Sequence, residues 1–293
     1  MMLNNLYKKI YFNGIIIALS LPISADSFIY NSFNNHGSIG LINTPSARFY
    51  DEGSFGITIY DGTPDQKVTL TSSPYSWLEA SFFYTNIQGM PYPGYEYQDY
   101  KDKGFNIKVR LKEQNKLPAI AIGINDLAGT GFYSSEYIVG SYEMGDLDFH
   151  FGLGWGTLNG LEDFQNPLTF LDKRFENRPD GYADQGGQFQ PSRYFSDESV
   201  SSFFGISYAL NDQSLFKIER DPTLTSGQIK YASAKSKISF GFEHNLTRNF
   251  SIGIFRERDN FYSLKFIYKR DSQRELKTTQ FKNCLLYTSD AAD

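Results

Sequence analysis

The sequence predicts an all-β chain: an antiparallel transmembrane β-barrel of the outer-membrane type with about twelve strands. Three observations carry that expectation. Apolar and polar residues alternate one for one in short segments recurring between residues 53 and 268; the connectors between them are long and short by turns; and an apolar leader precedes them all. Alternation with period two gives each strand a lipid face and a polar face. Segments of roughly seven to ten residues suit tilted strands that cross a bilayer.

Residues 1–25 read as a signal peptide, with Lys8 and Lys9 ahead of an apolar stretch and Ile23-Ser24-Ala25 as the cleavage site. Asn13, Gly14, Ser20 and Pro22 interrupt that stretch, so it falls short of the roughly twenty apolar residues of a spanning helix. No Cys lies near the cut, which speaks against lipoprotein processing. Residues 26–52 are expected to be a periplasmic segment leading into the barrel, and 53–283 the barrel itself.

Within the barrel, Phe55/Ile57/Ile59 mark the first strand and residues 67–72 the second. Leu78/Ala80/Phe82/Tyr84, Phe105/Ile107/Val109/Leu111 and Ile120/Ile122/Ile124 mark the next three. Residues 135–142 alternate poorly, whereas Leu147/Phe149/Phe151/Leu153/Trp155 alternate strictly with Asp148, His150, Gly152 and Gly154. Phe204/Ile206/Tyr208, residues 214–220, Ile238/Phe240/Phe242, Phe250/Ile252/Ile254 and Tyr262/Leu264/Phe266/Tyr268 complete the set, while 227–234 read as strand or loop. Connectors 86–104, 126–134, 156–199 and 221–236 are the longer ones and fall on one side; 112–118, 144–146, 210–213 and 244–249 fall on the other. Only 258–260 breaks the parity. Outer-membrane barrels sort their loops in this way and β-sandwiches do not.

Aromatic residues make up 17% of the chain, with 21 Tyr and 26 Phe, in keeping with interfacial girdles. The mean hydropathy of −0.42 is no objection, since only one strand residue in two faces lipid. Without Lys8 and Lys9 there are 26 basic residues against 33 acidic ones, a balance that argues against nucleic acid as a partner. Residues 284–293, CLLYTSDAAD, read as a translated library adaptor, so the natural chain is expected to differ from here and to continue. Cys284 then drops out, and nothing calls for a disulfide, a thiolate or a cofactor.

The polar faces carry Glu79, Lys108, Arg110, Asp148, His150, Lys217, Glu219, Glu243 and Lys265. They line either a conduit for a polar solute or a barrel plugged by paired side chains, and mixed charge fits both. In the external segment 88–100, Tyr92, Tyr95, Tyr97 and Tyr100 offer flat faces to sugar rings, with an interfacial girdle as the alternative. Of His36, His150 and His244 only His150 sits on a membrane strand, and no G-x-S-x-G elbow accompanies it. Asp126 and Glu136 flank a loop, a spacing that alone does not make a glycosidase pair. No H-E-x-x-H, EF-hand or P-loop motif occurs.

GSIGLINTPSAR (37–48), PAIAIGINDLAGTGFYSSEY (118–137), GLGWGTL (152–158), NPLTFLDKRFENR (166–178), the region 194–208 and LFKIERD (215–221) together resemble the YjbH family of exopolysaccharide and capsule-biosynthesis proteins. The resemblance implies a barrel in the outer membrane, among its lipids, working with exopolysaccharide and its export machinery, with no established catalytic residues to carry over. Members are much longer, so this sequence is expected to be an N-terminal portion. The reading is a non-enzymatic outer-membrane barrel assisting exopolysaccharide biosynthesis, export or surface assembly. A general porin or solute channel, and a lipid- or glycan-modifying enzyme, are the alternatives.

Overall fold

A computed structural model describes residues 31–63, 65–92, 94–180, 189–224 and 234–270. The proposed signal peptide, most of 227–234 and residues 284–293 lie outside these. Thirteen strands follow in order: β1 (Ser54–Asp61), β2 (Asp65–Tyr75), β3 (Leu78–Tyr92), β4 (Tyr95–Lys112), β5 (Ala119–Leu127), β6 (Ser135–Met144), β7 (Leu147–Gly156), β8 (Phe164–Gln165), β9 (Ser199–Asn211), β10 (Ser214–Arg220), β11 (Ile238–Asn245), β12 (Phe250–Glu257) and β13 (Phe261–Arg270). Each strand pairs with the next along the chain, except that β7 pairs with β9 and the short β8 adds only to the end of β9; β13 returns to β1 from Phe55↔Arg270 to Asp61↔Leu264. The result is a closed antiparallel barrel of twelve strands. Closure leaves no unpaired edge, the condition for crossing a membrane as sheet.

Facing follows the period-two pattern. In β13, Tyr262 and Phe266 are exposed while Ser263, Lys265 and Lys269 are buried. Phe55, Leu70, Phe105, Phe151, Phe204, Phe250 and Ile254 extend the exposed apolar surface around the wall. A continuous outward apolar surface over a polar interior is the arrangement lipid selects, so the chain is a transmembrane barrel of the outer membrane.

Strand β6, which alternates poorly, is fully paired with β5 and β7. Its inward Tyr137 and Val139 are apolar because they pack with Ala119, Ala121, Phe203, Ala47 and Phe49. Segment 86–104 is not a loop: β3 and β4 run on through it as a long hairpin, Asn86 opposite Lys101 and Tyr92 opposite Tyr95. Trp155 does not face lipid but is buried edge-on against Phe195 of the β7–β9 connector.

The expectation of a periplasmic 26–52 segment is corrected over its described part. Residues 32–50 lie inside the barrel, nearly all of them buried. Local bridges Phe33↔Ile39 and Gly40↔Pro45 fold the segment compactly, and Phe33 packs with Ile39, Tyr50 and Ile267. The wall makes room for it: a Cβ on Gly56 would sit 2.2 Å from the Phe33 ring.

Phe151 lies midway along β7 and faces out, whereas Tyr262 lies near a strand end. Phe151→Arg is expected to destabilise the barrel by about 2–4 kcal/mol, and Tyr262→Arg by about 0–1 kcal/mol. Denaturant unfolding in lipid vesicles measures both; equal costs would overturn the assigned membrane depth.

Candidate functional site

The lumen is where the polar strand residues converge, and the N-terminal plug is what they hold. A folded segment without regular strands has backbone donors and acceptors that must find partners when buried. The wall supplies them. The Glu219 carboxylate accepts the backbone N–H groups of Ile42, Asn43 and Thr44 at 3.2, 2.7 and 3.2 Å and the Thr44 hydroxyl at 2.6 Å. Lys108 donates to the carbonyls of Ile39 and Arg48, Lys217 to those of Gly40 and Leu41, and Lys265 to that of Phe33. Each such bond to a charged group contributes about 1.5–3 kcal/mol.

The charges also pair among themselves. Glu79 lies 3.2 Å from Lys108 and accepts the Ser38 hydroxyl; Glu243 lies 3.4 Å from Lys217 and 3.7 Å from Lys265 and accepts the Ser32 hydroxyl. Asp148 binds Arg48 of the plug in bidentate fashion at 2.9 and 2.7 Å. Arg110 is the exception in this set. It lies nearer the rim, half-buried over the Phe49 ring and paired with exposed Glu113. Lys67, Asp221 and Glu257 belong to the same lining: Lys67 contacts His36, and the two carboxylates share Asn43. Their inward parity on the strands marks Lys67 and Glu257 in the sequence; Arg48 carries no such mark.

Ser141, His150 and Asp148 stand in a row, with 2.8 Å from the Ser141 hydroxyl to His150 Nδ1 and 3.6 Å from Nε2 to Asp148. The row is spent on the plug. Ser141 Oγ accepts the Ala47 N–H, Asp148 is held by Arg48, and all three residues are buried. A nucleophile needs space for its substrate, and this hydroxyl has plug backbone in that place.

One rim carries the longer connectors. Arg178 of the β7–β9 connector forms a bidentate pair with Glu136 at 2.7 and 3.0 Å, and Glu136 also accepts the Phe195 N–H. Glu136 is therefore a docking point for this connector and not half of a carboxylate pair with Asp126. Asn166 ties the connector internally by donating to the carbonyls of Phe175, Phe195 and Asp197. Leu224 N–H donates to Thr157 O and Gly160 N–H to Pro222 O, joining this connector to the one after β10. Of the four tyrosines singled out, Tyr95 and Tyr97 are exposed; Tyr92 stacks at 5.4 Å on Tyr100, which is buried against Phe132. Tyr100 is thus a support for the hairpin, with no free face.

Among the described residues no group of His, Cys, Asp or Glu has a metal-binding arrangement. Residues 32–284 match the model of the YjbH family, described as exopolysaccharide biosynthesis protein. The chain is 32% identical over 240 residues to the uncharacterized lipoprotein YjbH of Escherichia coli (strain K12), covering 79% of this chain and 34% of that protein. It spans about a third of the length of this curated relative. Solved structures with similarity include the NanC porin (TM-score 0.37, 10% identity, 74% of this chain and 99% of that one) and the KdgM porin (0.40, 8%, 74% and 98%). An outer membrane channel from Pseudomonas putida F1 scores 0.34 at 8% identity, over 76% and 97%.

Two predictions follow from the bonding just described. Glu219→Ala removes the acceptor of three plug amides, and Gly56→Leu drives a side chain into Phe33. Each should leave the barrel folded but make residues 32–50 cleavable by protease; resistance equal to that of the parent protein in both would show that the plug is held elsewhere. The second concerns pH. Arg220, at 2.6 and 2.7 Å, and the Ser202 N–H and hydroxyl hold the connector residue Asp163 well below the usual carboxylate range. A depressed carboxylate stabilises the fold above its unfolded pKa, about 3.9, and that contribution is lost as pH falls through the folded value. Proteolytic release of the connector should begin only in strong acid, and at higher pH in Asp163→Asn. Identical pH profiles for the two proteins would contradict it.

Proposed function

Because the chain belongs to the YjbH family of exopolysaccharide biosynthesis proteins, we propose that it is a non-enzymatic outer-membrane barrel that assists export or surface assembly of an exopolysaccharide. Its contribution comes from the outer face and not from an open bore. The observation that carries this reading is the filled lumen: the strand charges that would line a conduit are bonded to residues 32–50. A diffusion porin needs those groups facing water. The rim with the long connectors is the outer one, by the loop asymmetry of such barrels. There the hairpin of β3 and β4 presents Tyr92, Tyr95 and Tyr97, aromatic faces suited to sugar rings, while Tyr100 steadies them from beneath. The polymer and the export machinery are the partners in this reading, and outer-membrane lipid surrounds the wall.

The test uses the complete protein in its own cells and in planar bilayers. The parent protein should show no steady conductance. Shortening the hairpin to a turn at Asn86 and Lys101, which already face each other, should leave the barrel assembled and lower surface exopolysaccharide. Steady porin-like conductance of the parent would favour the solute-channel reading. Normal polymer on cells with the shortened hairpin would remove the outer face from the function.

A further inference from the structure

At the outer rim the β5–β6 turn and the β7–β9 connector border a shallow, open recess lined by Asp126, Gly129, Gly131, Gln190, Arg193 and Tyr194. It has room for a group about the size of water. Three buried polar atoms among these residues have no partner: Asp126 Oδ1, Gln190 Oε1 and Arg193 Nε. Asp126 is itself 97% buried, at 3% exposure, and its other oxygen accepts the N–H groups of Gly131 and Tyr133. Orphaned buried groups are costly, so three of them on residues that border one recess point to a ligand that satisfies them. The recess is also built to size. Gly131 has φ +90°, and a Cβ there would meet Arg193 Nη1 at 2.6 Å, so glycine leaves the guanidinium its place.

The donor and one acceptor match a hydroxyl, which accepts a hydrogen bond and donates one, and a second, neighbouring hydroxyl is needed for the other acceptor, the pairing that a sugar edge presents. The carboxylate and the guanidinium cancel in charge, which favours a neutral partner. Beside the recess Phe189 is exposed and packs on Tyr194 at 5.6 Å, an apolar surface next to a polar notch. Sugars present that combination: an apolar ring face with hydroxyls at its edge. We propose that this recess is a subsite for a neutral sugar residue, one hydroxyl entering between Gln190 and Arg193 and the ring resting on Phe189. The proposal rests on the outer-face reading above and assigns it a place and a ligand class.

The probe is exopolysaccharide from the source strain, cut to oligomers by mild acid and passed over immobilised full-length protein in nanodiscs. The parent should retain neutral oligomers. Gln190→Ala and Arg193→Lys, the second keeping the charge while losing the Nε donor, should each weaken retention about tenfold, the effect of losing one good polar contact. Gly131→Val should close the notch and abolish retention, with heat-modifiable gel mobility reporting an intact barrel. Retention by all three variants at the parent's level would mean that the notch holds water only, and would overturn this site while leaving the outer-face reading. Retention of acidic oligomers alone would overturn the neutral-sugar assignment. No retention by the parent would overturn the outer-face reading together with the site.

Discussion

The structure depends on charged side chains of the wall bonding to the backbone of the segment they enclose. A β-barrel solves its own hydrogen bonding strand to strand, and its inward side chains are then left with a polar space to fill. Here Glu219, Lys108, Lys217 and Lys265 fill it by meeting amides and carbonyls of the enclosed segment. Each side answers the other. Without the segment the wall charges would have only water to meet, and without the wall the segment would bury unpaired peptide groups.

That mutual need explains why the charge on the polar faces is mixed. Carbonyls call for cations and amides for anions, so a single winding strand of backbone selects both signs along the lumen. The ion pairs Lys108–Glu79 and Lys217–Glu243 then follow as neighbours in a neutral lattice. The same logic reaches the outer rim, where Arg178 with Glu136 and Arg220 with Asp163 bond the β7–β9 connector to the strand ends. The described parts of the connector, 157–180 and 189–198, are thereby a fixed surface, and a fixed surface is what preorganised recognition of a polymer requires.

Strand facing is legible in the sequence wherever one face meets lipid and the other meets polar groups, as in β7 and β13. It fades in β6, because Tyr137 and Val139 face apolar parts of the plug and both faces become apolar. The long hairpin of β3 and β4 is hidden for a different reason: beyond the membrane no lipid imposes a period, and its pairing carries bulges near Pro91. The lining residues Glu79, Lys108, Asp148, Lys217, Glu219, Glu243 and Lys265 follow from parity alone. Their partners do not, since residues 32–50 have no periodicity and their bonds depend on where strands far along the chain come to lie. Arg48 and Asn43 are unremarkable in sequence and central in space.

The reach of those bonds sets the order in which the molecule can form. Ser32 bonds to Glu243, 211 positions later, and Phe33 to Lys265, 232 positions later. The plug is therefore the earliest of the described segments to be made and the last to be satisfied. Contacts of such separation form late, after the loop entropy has been met by intervening strands. Until β13 has closed on β1, residues 32–50 carry unpaired backbone beside a half-built sheet, the state in which chains of this kind need chaperoning. Closure of the wall and seating of its contents are thus one final event, and an arrest before the last strand would leave a chain with neither.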